Sequence, residues 1–542
     1  MMNNNIQTSN LIVNLLADMG ISNGCICPGA RNAPMIEALS RSPIKTHSIL
    51  DERAAGFYAL GMAKKIDSPT VVSCTSGTAL ANLFPAIIEA YMSEIPLIII
   101  SADRPTKLID TGENQTIYQD NIYGKYSLHF EKINLLSEDL DSISNKINMA
   151  FHASMGIVEN KKLSSKGPVH INIHFDEPLI DAGNEGYHSK IKLNSIKPLS
   201  SSARITKVPR LIKKPIIICG QTDLKTSKDT ILGIAQKIGA PILSDISSNI
   251  KGEDLVISFY DHFIDNISPD LILRFGKKPL SKKLLELINQ NKEVTYLVQL
   301  RQKFNDDSNQ IETSINSFLD NVDDYIDYEK DSRWTNSFID KDILAKEKIK
   351  TLSNGVKMNE YSFSNSLAHE LPDNSNLFIG NSLMIRAFDS FSNRSHLKNI
   401  HVLSNRGVSG IDGNIATALG IANTSKCNNY LVLGDQSFMH DVGSLQILAE
   451  IDTHLTIFII NNGGGAIFDR LPLSEKMNPR AYDKFIRRNH NRNFKAITES
   501  YNMDYNLINT FEELENLDMD KTQICEVMID RDDSLEFINQ FK

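Results

Sequence analysis

The chain has a single tryptophan in 542 residues and only six cysteines, at 25, 27, 74, 219, 427 and 525. The cysteines are scattered, and Cys25-X-Cys27 lies in an apolar strand pattern with no second ligand pair nearby. That spacing argues against a zinc site and a disulfide framework. It predicts buried free thiols in a reducing cytoplasm. No apolar run approaches the length of about 18 residues that a membrane span needs. There is no basic block or aromatic-interleaved basic stripe, and the net charge is −9, so nucleic acid is not an expected partner. Met1 to Asn5 carry neither a basic segment nor an apolar core, so secretion is not expected and the predicted location is cytoplasmic. No Gly-X-Gly-X-X-Gly string opens a helix after a strand, which argues against a nicotinamide- or flavin-binding dehydrogenase. What the chain does have is length and apolar content, 41% hydrophobic, enough for about three domains.

Strand and helix patterns alternate along the whole sequence, as a doubly wound parallel sheet requires. Leu11 to Met19 reads as an amphipathic helix. Gly24–Cys27, Thr70–Cys74, Pro96–Ser101 and Val169–Ile173 read as strands of a first domain, the last closing it. A Lys- and Ser-rich stretch from about Gly183 to Arg204 reads as a linker. Lys214–Gly220, Pro241–Leu243 and Leu271–Phe275 open a second unit, and Asp320–Lys330 reads as acidic surface before a second connection. From about Val356 a third α/β unit follows. The expected fold is α/β, with three doubly wound parallel-sheet domains at 1–185, 200–335 and 350–542, a repeat at domain scale.

Two strand ends in the third unit carry chemistry. Leu431-Val432-Leu433-Gly434-Asp435 puts a carboxylate just past one buried strand. Leu455 to Ile460, followed by Asn461-Asn462-Gly463-Gly464-Gly465, puts an amide and a flexible backbone past another. In an open α/β sheet that edge binds ligands. A carboxylate, an amide oxygen and a backbone carbonyl suit Mg²⁺, which takes few protein ligands and completes its shell with phosphates. Each string alone also fits ordinary turn chemistry. Together, with one helix between them, they resemble the signature that seats a thiamine diphosphate through its metal ion. Gln436 stands where many members of that superfamily have a third-position glycine.

In the first unit, Asp51-Glu52-Arg53 starts a helix whose Ala55, Ala59 and Ala63 share one small-residue face. Asp51 can cap it, and Glu52 fits a first-turn acid favoured by the helix dipole. Thiamine chemistry gives Glu52 a second reading. An acid must hydrogen-bond the aminopyrimidine ring, and it does so best from an apolar pocket that raises its pKa.

Several segments resemble one family closely. They are Cys27-Pro28-Gly29-Ala30-Arg31-Asn32-Ala33-Pro34, Asp51-Glu52-Arg53, Cys74-Thr75-Ser76-Gly77-Thr78-Ala79, Ser101-Ala102-Asp103-Arg104-Pro105, Glu113-Asn114-Gln115-Thr116, and Ser404-Asn405-Arg406-Gly407-Val408-Ser409-Gly410-Ile411-Asp412-Gly413, with Gly434-Asp435 and Asn461-Asn462-Gly463-Gly464. The family is that of the menaquinone-pathway 2-succinyl-5-enolpyruvyl-6-hydroxy-3-cyclohexene-1-carboxylate synthases. The likeness is strongest in the first and third domains and weak in the middle one. It implies a thiamine-diphosphate transferase that uses Mg²⁺ or Mn²⁺, decarboxylates 2-oxoglutarate, and adds the succinyl carbanion equivalent to isochorismate in a Stetter-like step. It also implies a homodimer or homotetramer with sites at the subunit interface.

The resemblance assigns roles residue by residue. Glu52 is the catalytic acid. Asp435, Asn462 and Gly464 are the metal ligands, and Gly434, Asp435, Ser437 and Asn462 hold the diphosphate. Ile411 and Ile467 pack against the cofactor, with ordinary core as the alternative for either. Two dicarboxylate substrates need several cations, preferably arginines. Arg31, Arg104, Arg386 and Arg406 stand at expected strand-to-helix junctions, with Ser382, Asn114 and Gln115 beside them. Lys282 and Lys283 resemble a basic pair that reaches the isochorismate site, although Lys277 and Lys278 offer a second alignment and a solvated helix start a third reading. His440 and Asp441 read as helix-start polar residues. The alternative activity is another thiamine carboligase or decarboxylase of the acetohydroxyacid synthase type, which acts on smaller monocarboxylic acids and needs fewer arginines.

Overall fold

The computed structural model describes residues 5–180, 207–299 and 306–541, apart from residues 136, 159, 160, 163, 164, 223 and 253. The expected linker at 183–204 lies outside the described residues. The chain divides into two compact units. One holds the residues up to 199 with Asn405–Lys426 and Ser437–Leu455; the other holds Ser200–Ser404, Cys427–Gln436 and Thr456–Lys542.

The first unit is built on a six-stranded, all-parallel sheet. Its strands in chain order are Asn23–Ile26, Lys45–Ser48, Thr70–Cys74, Leu97–Asp103, Phe130–Asn134 and Pro168–His174. In space they run second, first, third, fourth, sixth, fifth. Thr70–Cys74, Leu97–Asp103 and Pro168–His174 are buried along their whole length, which explains the apolar runs of the first two; in the third, apolar residues alternate with buried His170, Asn172 and His174. Pro168–His174 is the last strand of this sheet in chain order, but it lies inside the sheet. Phe130–Asn134, whose Phe-Glu-Lys-Ile-Asn pattern gives no strong apolar signal, takes the edge beside it.

The helix Glu52–Ile66 is capped by Asp51, whose Oδ1 accepts from the backbone N–H of Arg53 at 2.9 Å. Ala55, Ala59 and Ala63 are all buried. The helix packs against Asn414–Asn423 so closely that a Cβ at Gly61 would lie 2.1 Å from the Thr417 carbonyl oxygen. Small residues on both helices are what allow that approach.

The second unit carries two further six-stranded parallel sheets. The first runs third, second, first, fourth, fifth, sixth, with central strands Pro215–Cys219 and Leu271–Phe275. The other comprises Asn376–Ile379, His401–Leu403, Asn429–Gly434, Thr456–Asn461, Asp504–Ile508 and Gln523–Met528. It has the same spatial order as the sheet of the first unit. The domain-scale repeat therefore relates the outer two sheets, and the middle one is wound differently. The stretch expected as acidic surface is partly structural. Val322, Tyr325 and Ile326 are buried in the middle core, and Asp327–Tyr328 pairs with Leu211–Ile212.

All six cysteines are free thiols, and five are buried. Among the described residues, no helix is long and apolar enough to cross a membrane.

Candidate active site

In the second unit, Asn429–Gly434 and Thr456–Asn461 are adjacent parallel strands, paired with Gly434 opposite Ile460. Asp435 and Asn462 thus leave neighbouring strands at the same edge. Asp435 is buried. Its Oδ1 accepts from the backbone N–H of Gln436 at 2.5 Å, and its Oδ2 from that of Gly464 at 2.9 Å. Gly464 has φ +140°, and a Cβ there would come within 2.6 Å of the Arg487 carbonyl oxygen, so the glycine is required by both conformation and space.

Asn462 donates through Nδ2 to Glu360 Oε1 at 2.7 Å, while its buried Oδ1 has no hydrogen-bond partner among the described residues. A buried amide oxygen without a donor is costly unless something electropositive meets it. Together with the Asp435 carboxylate it forms a hard-oxygen set of the kind Mg²⁺ takes alongside a diphosphate. The residues present therefore fit that group.

Three residues around this seat were not read from the sequence. Glu360 is fully buried and also accepts from Ser534 Oγ. His490 Nε2 lies 3.3 Å from Asp435 Oδ2. Arg487 donates to the Asn462 carbonyl oxygen at 3.0 Å and pairs with Asp469. No local pattern marks them, because each acts across a long stretch of chain. Gln436, at the position of the third-position glycine, donates through Nε2 to the Arg487 carbonyl oxygen at 2.7 Å and ties the turn to the opposing loop.

In the same unit, Ser382 has φ +73° and accepts through its carbonyl from Arg386 Nη1 at 2.5 Å. Ile467 is half-buried at the margin of a core cluster with Tyr361, Leu383 and Phe391, close to its core reading. Lys282 is nearly fully exposed, 3.9 Å from Glu286, and Lys283 pairs with Asp265 at 2.5 Å. Both lie in the first turn of the helix Lys282–Gln290, capped by Ser281.

In the first unit the predicted residues gather on the carboxyl edge of the sheet. Glu52 is half-buried and accepts from Asn82 Nδ2 at 3.2 Å. Arg31 is buried; its Nη1 donates to the Phe175 carbonyl oxygen at 3.2 Å, its Nη2 lies 3.2 Å from Glu177, and its buried Nε has no partner among the described residues. Arg104 donates through Nε to the Asn114 carbonyl oxygen at 3.2 Å. Burial first, and the charge of Arg31 second, push the Arg104 guanidinium below its usual pKa. Two guanidinium groups that repel each other at a sheet edge are suited to an anionic ligand. Asn114 and Gln115 are exposed, the latter with φ +54°.

The Asn405–Gly413 turn belongs to this unit as well. Arg406 is half-buried. The next two backbone N–H groups, of Gly407 and Val408, donate to the buried Glu89 at 2.8 and 2.7 Å. Glu89 was not read from the sequence, although an acid inside Phe-Pro-Ala-Ile-Ile-Glu-Ala is a visible signal. Ser437 Oγ donates to the Ile411 carbonyl oxygen at 3.0 Å and accepts from Asn414 Nδ2 at 2.9 Å. The Ile411 side chain is 37% exposed, so it is not ordinary core.

His440 and Asp441 stand at the carboxyl end of the helix Asp435–Asp441, not at a helix start as expected, and the Asp441 side chain caps a different helix. Gly413 offers no side chain to cap the helix Asn414–Asn423, and Asp441 Oδ2 accepts from the N–H groups of Ile415 and Ala416 at 2.7 and 3.1 Å. His440 accepts through its carbonyl from Arg53 Nη2 at 3.1 Å.

Comparison with known proteins agrees with this geometry. Residues 6–123 match the model for the thiamine pyrophosphate enzyme N-terminal TPP binding domain. Residues 195–379 match the middle domain of thiamine pyrophosphate enzymes, and residues 380–519 the C-terminal TPP binding domain. The chain is 32% identical to the 2-succinyl-5-enolpyruvyl-6-hydroxy-3-cyclohexene-1-carboxylate synthase of Bacillus pumilus, over 95% of this chain and 92% of the relative. It is 33% identical to the enzyme of that name from Syntrophus aciditrophicus, over 100% and 98% of the two chains. The Chlorobium phaeobacteroides enzyme of the same name is also 33% identical, over 92% and 89%. The chain therefore belongs to the 2-succinyl-5-enolpyruvyl-6-hydroxy-3-cyclohexene-1-carboxylate synthase family of thiamine pyrophosphate enzymes.

Proposed function

We propose that this chain decarboxylates 2-oxoglutarate and adds the resulting succinyl unit to isochorismate, in a step of menaquinone biosynthesis. The observation that supports this most is the orphaned Asn462 oxygen beside the Asp435 carboxylate at two adjacent strand ends. Asp435, Asn462 and the Gly464 carbonyl would ligate Mg²⁺ or Mn²⁺, and Gly434 and Ser437 would hold the diphosphate. Thiamine diphosphate supplies the nucleophilic carbon and the electron sink for the lost carboxylate. Glu52 shares a proton with the aminopyrimidine nitrogen of that cofactor. Arg31 and Arg104 grip substrate carboxylates, and their mutual repulsion, with the unused Arg31 Nε–H, leaves them ready to do so. Arg406 and Arg386 serve the remaining carboxylates with Asn114, Gln115 and Ser382. Ile411 and Ile467 flank the cofactor. Lys282 and Lys283 belong to the isochorismate side.

The same reading includes self-association as a homodimer or homotetramer in the cytoplasm, with Glu52 of one copy serving the cofactor anchored by another. Leu50, Tyr118, Val408 and Ile411 are exposed apolar side chains within or beside the motif segments of the first unit, as an interface would require. The domain division at 1–185, 200–335 and 350–542 is part of this proposal. The test is an assay in which isochorismate disappears only when thiamine diphosphate, Mg²⁺ and 2-oxoglutarate are all supplied. Turnover with pyruvate in place of 2-oxoglutarate would overturn the substrate assignment.

A further inference from the structure

We propose that Asp103, Asp120 and His174 form a second metal site, for a divalent cation of the zinc class, beside Arg104 at the carboxyl edge of the first sheet. Asp103 and His174 end neighbouring parallel strands and stand opposite each other in register. Asp120 reaches them from the loop that follows the Glu113–Thr116 segment. One oxygen from each carboxylate and one ring nitrogen lie within 4.8 Å of one another. His174 Nε2 is 3.9 Å from Asp103 Oδ2 and 3.7 Å from Asp120 Oδ1.

The histidine carries the inference. Its side chain is buried, and its Nδ1 lies 2.6 Å from the Arg104 carbonyl oxygen. A carbonyl only accepts, so Nδ1 holds the hydrogen. In the neutral ring Nε2 is then a bare lone pair, and it makes no hydrogen bond among the described residues. It faces two carboxylates from a buried ring, and a buried acceptor without a donor is unfavourable. A proton on Nε2 would not close the gap, because 3.7–3.9 Å is too long for a hydrogen bond. A metal ion would. Bonds of about 2.0–2.1 Å in tetrahedral geometry set donor atoms about 3.4 Å apart, so the imidazole needs to approach each carboxylate by only a few tenths of an ångström. A histidine that gives its other N–H to a backbone carbonyl is in the orientation typical of a metal ligand.

The surroundings supply the rest of the site. Asn172 Nδ2 donates to Asp103 Oδ2 and to Asp120 Oδ1, both at 2.8 Å. The Asn172 amide cannot turn over, since its Oδ1 accepts from Ser101 Oγ at 2.7 Å and Gln119 Nε2 at 3.0 Å. Lys132 takes Asp120 Oδ2 at 2.7 Å and leaves Oδ1 toward the histidine. Asp103 and His174 are closed off while the Asp120 side chain is 38% exposed, so an ion would keep open positions on that side. One imidazole and two carboxylates favour zinc, cobalt or manganese over magnesium, which sets this site apart from the all-oxygen seat at Asp435. Asp103 Oδ1 also accepts from the Arg104 backbone N–H at 2.7 Å. Both the N–H and the carbonyl of Arg104 are thus bound to ligands of the proposed ion, and its occupancy would stiffen the backbone that presents that guanidinium.

The experiment uses the full-length protein, stripped with chelator and then saturated with thiamine diphosphate and Mg²⁺. Zinc is titrated by calorimetry, and Co²⁺ is followed by its visible absorption. The expected result is one zinc equivalent beyond the magnesium, and a Co²⁺ spectrum with nitrogen ligation that zinc bleaches. His174→Leu and Asp120→Asn should each weaken zinc at least tenfold. Asp435→Asn should retain the equivalent. Wild-type protein that takes up no zinc under these conditions overturns the proposal, as does an equivalent that survives both His174→Leu and Asp120→Asn. If a variant fails to fold by circular dichroism, the wild-type titration and Co²⁺ spectrum still decide.

Discussion

Glu360 determines which end of the Asn462 amide is free. Its Oε1 holds Asn462 Nδ2 at 2.7 Å, and so turns Oδ1 away as an unpartnered acceptor. The carboxylate is fully buried, and Ser534 occupies its other oxygen. Arg470 lies close enough to feel it: burial pushes that guanidinium down to about 10, and the Glu360 charge pulls the opposite way. Glu360→Gln should let the amide turn and weaken magnesium-dependent cofactor binding by roughly 10- to 100-fold, the usual cost of losing an outer-sphere partner. Titration of thiamine diphosphate at fixed Mg²⁺ measures this, and an unchanged Kd would remove Glu360 from the seat.

Glu52 and Asp435 should separate cleanly. Glu52→Gln keeps the shape of the first turn and the Asp51 cap, so cofactor binding should persist while turnover falls by several orders of magnitude. Asp435→Ala removes the proposed metal ligand and the acceptor of the Gly464 N–H, so binding itself should fail. Wild-type-like turnover of Glu52→Gln, or unaltered metal-dependent binding in Asp435→Ala, would each refute the assigned role.

The arginines should affect substrates and spare the cofactor. Arg104→Ala and Arg31→Ala each remove half of a repelling pair. Each should raise KM for an acid substrate by about tenfold or more, since a charge-assisted hydrogen bond contributes about 1.5–3 kcal/mol. Steady-state kinetics with cofactor affinity measured alongside decides this. If cofactor affinity falls instead, these residues sit elsewhere in the site.

The strands and the placement of Asp435 and Asn462 at their ends were legible because they are local. Unbroken β-branched runs mark buried parallel strands, and Gly434-Asp435 and Asn461-Asn462 sit directly at their ends. The Asp51 cap was legible for the same reason. Glu360 was not, because it meets Asn462 across 102 residues and carries no spacing signal. Asp441 supplies the cap that Gly413 lacks, from 26 residues beyond Ile415, so its sequence neighbours suggested only a helix start. The edge strand Phe130–Asn134 was missed because its alternation is weak and half-buried. The different winding of the middle sheet lies in strand order, which periodicity does not encode.

Glu89 should matter out of proportion to its distance from any reacting atom. It binds the N–H groups of Gly407 and Val408 and the Ser93 hydroxyl, and so holds the turn that follows Arg406. Glu89→Gln puts an amide donor where two backbone N–H groups need acceptors. The expected loss is about 1–3 kcal/mol of stability together with a raised KM. Denaturant melts and kinetics on the same preparation check it, and a variant with unchanged stability and KM would show that the turn holds itself.

Asp441 gives a pH signature of known sign. Burial pushes its carboxyl up to about 6, above the usual carboxylate range. An acid with a raised folded pKa takes up its proton in the folded chain before it would in the unfolded one. Folding therefore gains from this group as pH falls through 6, and the gain is complete below about 4. Asp441→Asn cannot titrate and should lose that component. Relative to the variant, the wild type should become more stable by roughly 1 kcal/mol between pH 7 and pH 5. Urea titrations of both proteins across that range measure the difference. A gap that stays constant, or that widens as pH rises, would mean that the Ile415 and Ala416 N–H bonds hold Asp441 ionised against the cost of its burial.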